Sequence, residues 1–175
     1  LVDVLLDLSK IEAGRIEIGK IDFRLTDVVA DVLNLLDVHA KKKKLRLSVE
    51  FATPVPAQVR TDAFRLKQIL MNVIGNALKF RRGETAPVVE VEAEVDEGKN
   101  LCLNRVKDNG IGFDPKYSEK IFNIFQRLNG SEYEGTGIGL AICRKVVERH
   151  KGAIRATSKL GEGATFEITL PLRQS

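Results

Sequence analysis

The sequence predicts an α+β fold: a two-layer sandwich in which helices cover one face of a mixed, mostly antiparallel sheet. Two segments, at 62–82 and 138–150, repeat apolar residues at intervals of three and four and are predicted helices. Four segments alternate apolar and polar residues and are predicted strands, at 89–95, 101–107, 153–158 and 165–170. Short turns join them in consecutive pairs, so each pair is predicted to form an antiparallel hairpin.

Composition and charge narrow the class of protein. The 175 residues are 43% hydrophobic and 30% charged, which suits one folded domain with its own core. No apolar run approaches the roughly 20 residues of a membrane-spanning helix, and no signal peptide is recognisable. The net charge is only +4, and aromatic residues do not alternate with basic ones as in single-strand binders. We therefore expect no nucleic-acid partner.

The first 14 residues have the pattern of a helix end. Apolar residues at near-helical spacing form a stripe, at Val2, Leu5, Leu6, Leu8 and Ile11. Gly14 then offers a helix stop. We interpret residues 1–14 as the end of a longer helix that packs against a partner, and residues 15–175 as the domain itself. Because the chain does not begin with methionine, we expect it to be part of a longer protein.

Shorter elements are predicted before the helix at 62–82, which Thr61 or Asp62 caps. They are a strand at 16–23, a helix capped by Thr26 or Asp27, a strand at 45–51 and a short strand at 58–60. The helix ends in the lysine run 41–44. We interpret that run as a solvated helix end, where cations suit the helix dipole, in preference to a surface for an acidic partner.

Loops and one short helix are predicted between the strand at 101–107 and the helix at 138–150. A loop that contains glycine and proline covers 108–116, the short helix covers 119–125, and a polar stretch covers 129–137. A turn at 160–163 joins the last two strands.

The strand at 101–107 has an unusual predicted face. Cys102, Asn104 and Val106 lie on the face that leads to Asp108, and Asn104 is polar where a core residue is expected. A buried amide without a partner costs roughly 1–3 kcal/mol, so either Asn104 has a hydrogen-bond partner or the strand register is unusual. Cys102 and Cys143 lack metal-ligand spacing and are predicted to be reduced core thiols.

Three polar residues form a line along the helix at 62–82. Asn72, Asn76 and Lys79 follow one another at intervals of four and three, which places them on one side of the helix. An amide oxygen is a suitable ligand for Mg²⁺, and an ammonium group can contact a phosphate. Two solvated asparagines are the alternative, although asparagine is a poor helix former. The spacing alone leaves both interpretations open.

Glycine-rich turns follow at three places. In Asp108-Asn109-Gly110-Ile111-Gly112-Phe113, a carboxylate at a strand end can accept a hydrogen bond from an exocyclic amine. The segment Gly135-Thr136-Gly137-Ile138-Gly139-Leu140 runs into a helix, whose free amides favour an anion. The third, Gly161-Glu162-Gly163-Ala164-Thr165-Phe166, is by itself a hairpin turn. Each turn taken alone is also compatible with ordinary structure.

The order and spacing of these motifs are specific, and the chain resembles the catalytic ATP-binding domain of sensor histidine kinases. These are Bergerat-fold ATPases, like gyrase, Hsp90 and MutL. The matching motifs are the N box RLKQILMNVIGNALKF (65–80), the glycine boxes DNGIGF (108–113) and GTGIGLAI (135–142), the F box KIFNIFQRL (120–128) and the last box GEGATF (161–166). DLSKIEAG (7–14) resembles the end of the second dimerisation helix.

The resemblance implies a role for each motif in binding ATP and Mg²⁺. Asp108 would accept the adenine amino group, Gly110, Gly112 and Phe113 would pass along the base, and Thr165 would lie near it. Asn76 would be a Mg²⁺ ligand with Asn72 beside it, Lys79 would reach the phosphates, and Arg127 would contact the γ-phosphate or an interface. The triphosphate would be framed by Gly135, Thr136, Gly137, Gly139 and Leu140.

The resemblance also implies a mobile lid and a set of partners. Residues 115–134 would form the lid over ATP, with Phe122 and Phe125 tethering it or docking on the dimerisation helices; plain core packing is the alternative. The γ-phosphoryl group would pass to a histidine of the dimerisation domain and then to an aspartate of a response-regulator receiver domain. The parent would be a homodimer with a cytoplasmic kinase core, membrane-anchored or not.

Two features set limits on this interpretation. Only His39 and His150 are present, and neither lies in a motif like the acceptor box, so we expect the chain to bind ATP without phosphorylating itself. The alternatives are an ATPase clamp like MutL or Hsp90, and a non-catalytic nucleotide-binding module. A clamp would carry a glutamate four residues before the metal-binding asparagine, where this chain has Asn72.

Overall fold

The computed structural model describes residues 19, 21–42, 58–83, 85–96, 98–128, 133 and 135–171. The predicted helix end at 1–14, the boundary after it and the strand predicted at 45–51 lie outside these residues. So do residues 129–132 and 134 of the predicted polar stretch 129–137. Within the described ranges, no helix has the length and apolar character that a membrane span requires.

The described elements follow the predicted order closely. They are β1 (Ile21–Phe23), α1 (Leu25–Lys42), β2 (Val59–Thr61), α2 (Ala63–Lys79), β3 (Val89–Asp96), β4 (Leu101–Asp108), α3 (Gly139–Arg149), β5 (Ala153–Lys159) and β6 (Gly163–Pro171). A 3-10 turn at Lys120–Phe122 replaces the short helix predicted at 119–125, and a second 3-10 turn, Pro115–Tyr117, lies at the end of the predicted loop 108–116. Helix α1 begins at Leu25, ahead of both predicted cap residues.

The described strands form two sheets. The larger has the order β3-β4-β6-β5, and β1 pairs with β2 separately. Every described pair is antiparallel, and both predicted hairpins are present. Burial alternates along β6, where Ala164, Phe166, Ile168 and Leu170 all face the core.

The two faces of the large sheet differ in character. Side chains of α1, α2 and α3 form one core with the buried residues of β4, β5 and β6. Ion pairs are found on β3, β4 and β6, where Arg105 lies 2.7 Å from Glu92 and 3.3 Å from Glu167, and Lys107 lies 2.9 Å from Glu90. These pairs are substantially exposed, so the predicted two-layer arrangement with helices on one face is confirmed.

Helix α2 forms because its pattern and its cap agree. All seven predicted apolar residues are buried, namely Leu66, Ile69, Leu70, Val73, Ile74, Ala77 and Leu78. Asp62 is the cap, and its Oδ1 accepts a hydrogen bond from the backbone N–H of Arg65 at 2.9 Å. Its other oxygen, Oδ2, accepts from the N–H of Gly19 at 3.2 Å. One buried carboxylate therefore joins the chain before β1 to the first turn of α2.

Replacing Asp62 with alanine should lower the free energy of unfolding by about 1–2 kcal/mol, because the N–H groups of Arg65 and Gly19 both lose their acceptor. Urea unfolding at neutral pH would measure the change. Asp62→Asn keeps one acceptor oxygen and is the matched control, with a smaller loss expected. Equal losses in the two variants would contradict the double role of this side chain.

The polar residue predicted on the buried face of β4 has a partner. Asn104 is 5% exposed, and its Nδ2 lies 3.5 Å from the Sγ of Cys102. Both cysteines are buried and unpaired, as predicted. Burial raises the pKa of Cys143 to about 12 and also raises the pKa of Cys102. Both thiols are therefore protonated and unreactive at neutral pH.

Candidate functional site

A cavity of about 280 Å³ lies among α2, the loop after β4 and the start of α3. Its lining brings together most of the residues predicted from the sequence: Asn72, Asn76, Lys79, Asp108, Gly112, Phe113, Arg127, Gly135, Thr136, Gly137, Gly139 and Leu140. The carboxylate of β4 and the amides of α2 therefore face one space, although they are distant in the chain.

Helix α2 supplies the polar side of the cavity. Asn76 and Lys79 are carried on its last turn and a half, at the spacing that places them on one side. The Lys79 Nζ lies 4.4 Å from the centroid of the Phe80 ring. A Cβ atom at Gly135 would lie 2.7 Å from that Nζ, so the absent side chain at Gly135 leaves room for the ammonium group.

Asn72 has a structural role as well as a place in the cavity. A Cβ atom at Gly139 would lie 2.9 Å from its Oδ1, so the amide lies directly against the first turn of α3. A side-chain hydrogen bond with Asn72 also acts on the pKa of Cys143, one turn further along α3, though less strongly than burial. Asn72 therefore connects α2 to α3 next to Asn76.

Asp108 ends β4 in a partly buried position. Its Oδ1 accepts hydrogen bonds from the N–H groups of Gly110 at 2.8 Å and Ala164 at 3.3 Å. Burial raises the pKa of this carboxyl group, and the two N–H donors oppose that shift. No donor among the described residues is found on Oδ2, which remains able to accept a hydrogen bond from a ligand.

The two glycines after Asp108 make room for protein backbone. A Cβ atom at Gly110 would approach the carbonyl oxygen of Phe80, and Gly110 is not part of the cavity lining. Gly112 has φ +63°, and a Cβ there would overlap the carbonyl oxygen of Lys159. Gly110 therefore lies against the end of α2, and its predicted place along the base stays a prediction.

Thr165 is also absent from the lining, which contains its neighbours Ala164 and Phe166 instead. Side chains alternate between the two faces of a strand, and Ala164 and Phe166 take the buried face of β6. Thr165 consequently lies on the opposite face. Thr165 was predicted to lie near the base, and the residues of this motif that line the cavity are its two neighbours, Ala164 and Phe166.

The phenylalanines of the F box differ in their surroundings. Phe122 is 3% exposed and packs in the core, with the Arg144 guanidinium 4.4 Å from its ring centroid. Arg144 also pairs with Glu119 at 2.6 Å. Phe125 is 66% exposed and has φ +62°. Core packing therefore describes Phe122, whereas Phe125 presents an apolar ring at the surface.

Several lining residues were not predicted. They are Phe80, Ile111, Ile121, Gln126, Leu128, Tyr133, Ala164 and Phe166. Most are apolar and lie inside or beside the predicted motifs, in which only polar residues and glycines were assigned roles in most cases.

Arg127, which was predicted, also lines the cavity. Its Nη2 donates a hydrogen bond to the Tyr133 carbonyl oxygen at 2.7 Å.

The lining fits a nucleotide with a magnesium ion. Ile111, Phe113 and Phe166 offer apolar surface for a flat base, and Asp108 offers one acceptor for its amine. Asn76 provides an oxygen ligand of the kind Mg²⁺ prefers, and Lys79 provides a positive charge for phosphate. The start of α3 also lines the cavity, and no side chain caps it among the described residues, so its first N–H groups could face a phosphate.

Comparisons with known proteins agree with this geometry. Residues 61–174 match the family described as histidine kinase-, DNA gyrase B- and HSP90-like ATPases. Cyanobacterial phytochrome A of Nostoc sp. (strain PCC 7120) is 42% identical over 177 residues, covering 98% of this chain and 21% of the relative. The aerobic respiration control sensor protein ArcB of Escherichia coli (strain K12) is 37% identical over 171 residues, covering 95% and 21%.

A solved structure has a similar fold. Full-length ShkA in complex with AMPPNP superimposes with a TM-score of 0.85 at 28% identity, covering 99% of this chain and 35% of that chain. The chain spans about a fifth of the length of the curated relatives it matches. It belongs to the histidine kinase-, DNA gyrase B- and HSP90-like ATPase family.

Proposed function

We propose that this chain binds Mg-ATP in the cavity and transfers the γ-phosphoryl group to a histidine of a dimerisation helix. The group then passes to an aspartate of a response-regulator receiver domain. The observation that carries the proposal is the convergence of Asp108 with Asn76 and Lys79 on one cavity. An acceptor for adenine, an oxygen ligand for magnesium and a cation for phosphate are thereby brought together.

The chain's own residues act mainly by positioning and by charge. Asp108 Oδ2 accepts from the exocyclic amine and orients the base. Asn76 would hold magnesium through its amide oxygen, with Asn72 as a polar neighbour, and Lys79 offsets phosphate charge. Bound magnesium neutralises charge on the phosphate oxygens. In the transfer, a nitrogen–phosphorus bond to the imidazole forms as the bond from the γ-phosphorus to the bridging oxygen breaks, and ADP leaves.

The acceptor histidine is proposed to lie on a separate dimerisation domain. His150 is 4% exposed, and its Nδ1 lies 2.7 Å from the Val146 carbonyl oxygen, so its ring is inaccessible to a phosphoryl group. His39 falls within α1, in no acceptor motif. This chain is therefore proposed to bind ATP without phosphorylating itself, and to work within a homodimeric kinase whose kinase core is cytoplasmic.

Asn72 favours transfer over a hydrolysing clamp. It stands four residues before Asn76, where a clamp carries the glutamate that activates water. An amide cannot accept a proton from water at neutral pH, whereas a carboxylate can. The contact of Asn72 with α3 gives this position a packing role instead.

Two measurements test the proposal. Calorimetric titration of ATP with and without Mg²⁺ should give binding that magnesium strengthens. A dimerisation domain supplied in trans should then acquire acid-labile phosphate, and the same domain with its histidine replaced by alanine should not. Hydrolysis of ATP without any phosphohistidine would favour the clamp, and nucleotide binding without turnover would favour a non-catalytic module.

A further inference from the structure

Tyr133 joins the segment before α3 to the C-terminal end of α2. Its ring centroid lies 5.0 Å from that of Phe80, with the ring planes tilted by 54°. The pair is tilted, and its centroid separation lies within the range of about 4.5–7 Å that favourable aromatic pairs show. Its carbonyl oxygen accepts the 2.7 Å hydrogen bond from Arg127. A side-chain contact and a backbone contact therefore hold the same residue.

Phe80 connects this contact to the phosphate end of the proposed site. The Lys79 Nζ lies 4.4 Å from the Phe80 ring centroid, a cation–π distance. The Phe80 carbonyl oxygen accepts a hydrogen bond from the N–H of Ile111 at 2.9 Å, which fixes Phe80 to the loop after Asp108. Tyr133, Phe80 and Lys79 all line the cavity. The backbone of Phe80 is thus held by the loop, whereas its ring contacts both Tyr133 and Lys79.

We propose that Tyr133 is a positioning residue for the nucleotide, which holds the segment before α3 against Phe80 and thereby keeps Lys79 at the phosphates. The inference rests on the proposed function, because it needs a nucleotide in the cavity. Without the Tyr133 ring, Phe80 loses its aromatic partner. The hydrogen bond from Arg127 to the backbone carbonyl oxygen of residue 133 would remain. The pair is made by the two rings, so a phenylalanine at position 133 retains it.

The test compares Tyr133→Ala with Tyr133→Phe. Binding of Mg-ATP is measured by calorimetry, and release is measured by stopped flow with a fluorescent ATP analogue. Tyr133→Ala should raise the dissociation constant about three- to tenfold, mainly through faster release, and Tyr133→Phe should match the wild-type chain. The melting temperature without nucleotide should fall by only a few degrees in Tyr133→Ala and be unchanged in Tyr133→Phe, because Tyr133 is half-buried and its main packing contact is one ring pair.

A double-mutant cycle separates positioning from general loss of packing. The double variant Tyr133→Ala/Phe80→Leu should bind Mg-ATP about as tightly as whichever single variant binds it less tightly. The two losses do not add, because either change alone already removes the ring pair. Tyr133→Ala combined with Phe113→Leu is the control, and its losses should add. Additive losses with Phe80, or an unchanged dissociation constant in Tyr133→Ala, would overturn the inference and leave the proposed function intact. A wild-type chain that binds no nucleotide would overturn both.

Discussion

Replacing Asp108 with asparagine is expected to weaken ATP binding by about 10- to 100-fold while the domain stays folded. The asparagine Oδ1 can still accept from the N–H groups of Gly110 and Ala164. Its Nδ2 then replaces Oδ2 and presents a donor to the adenine amine, which is itself a donor. Calorimetric titration of both chains with Mg-ATP measures the loss.

GTP provides the control for this prediction, since guanine has a carbonyl oxygen where adenine has the amine. The wild-type carboxylate repels that oxygen, because both groups are hydrogen-bond acceptors. The asparagine Nδ2 can donate a hydrogen bond to it. The ratio of ATP affinity to GTP affinity should therefore fall in Asp108→Asn. An unchanged ratio would show that Asp108 does not contact the base edge.

The same variant has an expected pH dependence in its stability. Burial raises the pKa of Asp108 in the folded chain, so its contribution to stability is fully present below the unfolded pKa and is lost as pH rises through the folded pKa. The amide introduced by Asp108→Asn does not titrate. The variant should therefore gain stability relative to the wild-type chain as pH rises from acid to neutral, as measured by urea unfolding.

Replacing Gly163 with alanine is expected to destabilise the domain by about 3–5 kcal/mol. Gly163 has φ +99°, and a Cβ there would overlap the carbonyl oxygen of Asp108. The overlap is with a backbone carbonyl group next to the paired part of β4 and β6, so it cannot be relieved by rotating a side chain. Urea unfolding measures the loss, and nucleotide binding should fall with it because Asp108 is displaced.

Gly161, in the same turn, is the matched control. It has φ +78°, and nothing lies within 4 Å of the position its Cβ would take. Gly161→Ala therefore carries only the cost of a left-handed backbone, about 1–2 kcal/mol. Similar losses in the two variants would mean that backbone strain, and not contact with Asp108, explains the glycine at 163.

Features that depend on local pattern were predictable from the sequence. The apolar stripe and cap of α2 specify its length and its buried face, and the short turns specify the hairpins of β3 with β4 and of β5 with β6. The motifs of the resemblance then placed Asp108, Asn76 and Lys79 in one site. Each of these inferences uses spacing within one segment or the order of segments.

Features that depend on contacts between distant segments were not predictable. The rings of Phe80 and Tyr133 pack together in the lining of the cavity. Nothing in the sequence pattern around either residue predicts this contact. Thr165 was assigned from its place in a motif, but the pleat of β6 turned Ala164 and Phe166 toward the cavity. Gly110 and Gly139 were interpreted through the nucleotide, whereas their nearest neighbours are Phe80 and Asn72.

The two hydrogen bonds that the Asp62 carboxylate accepts, from the N–H groups of Gly19 and Arg65, have a mechanical consequence. Helix α2 has 17 residues and is therefore about 25 Å long, with Asp62 before its first turn and Lys79 at its last residue. A displacement of the backbone at Gly19 would therefore act, through the carboxylate of Asp62, directly on the first turn of α2. If the helix tilted as one rigid unit, its last residue, Lys79, would move the furthest.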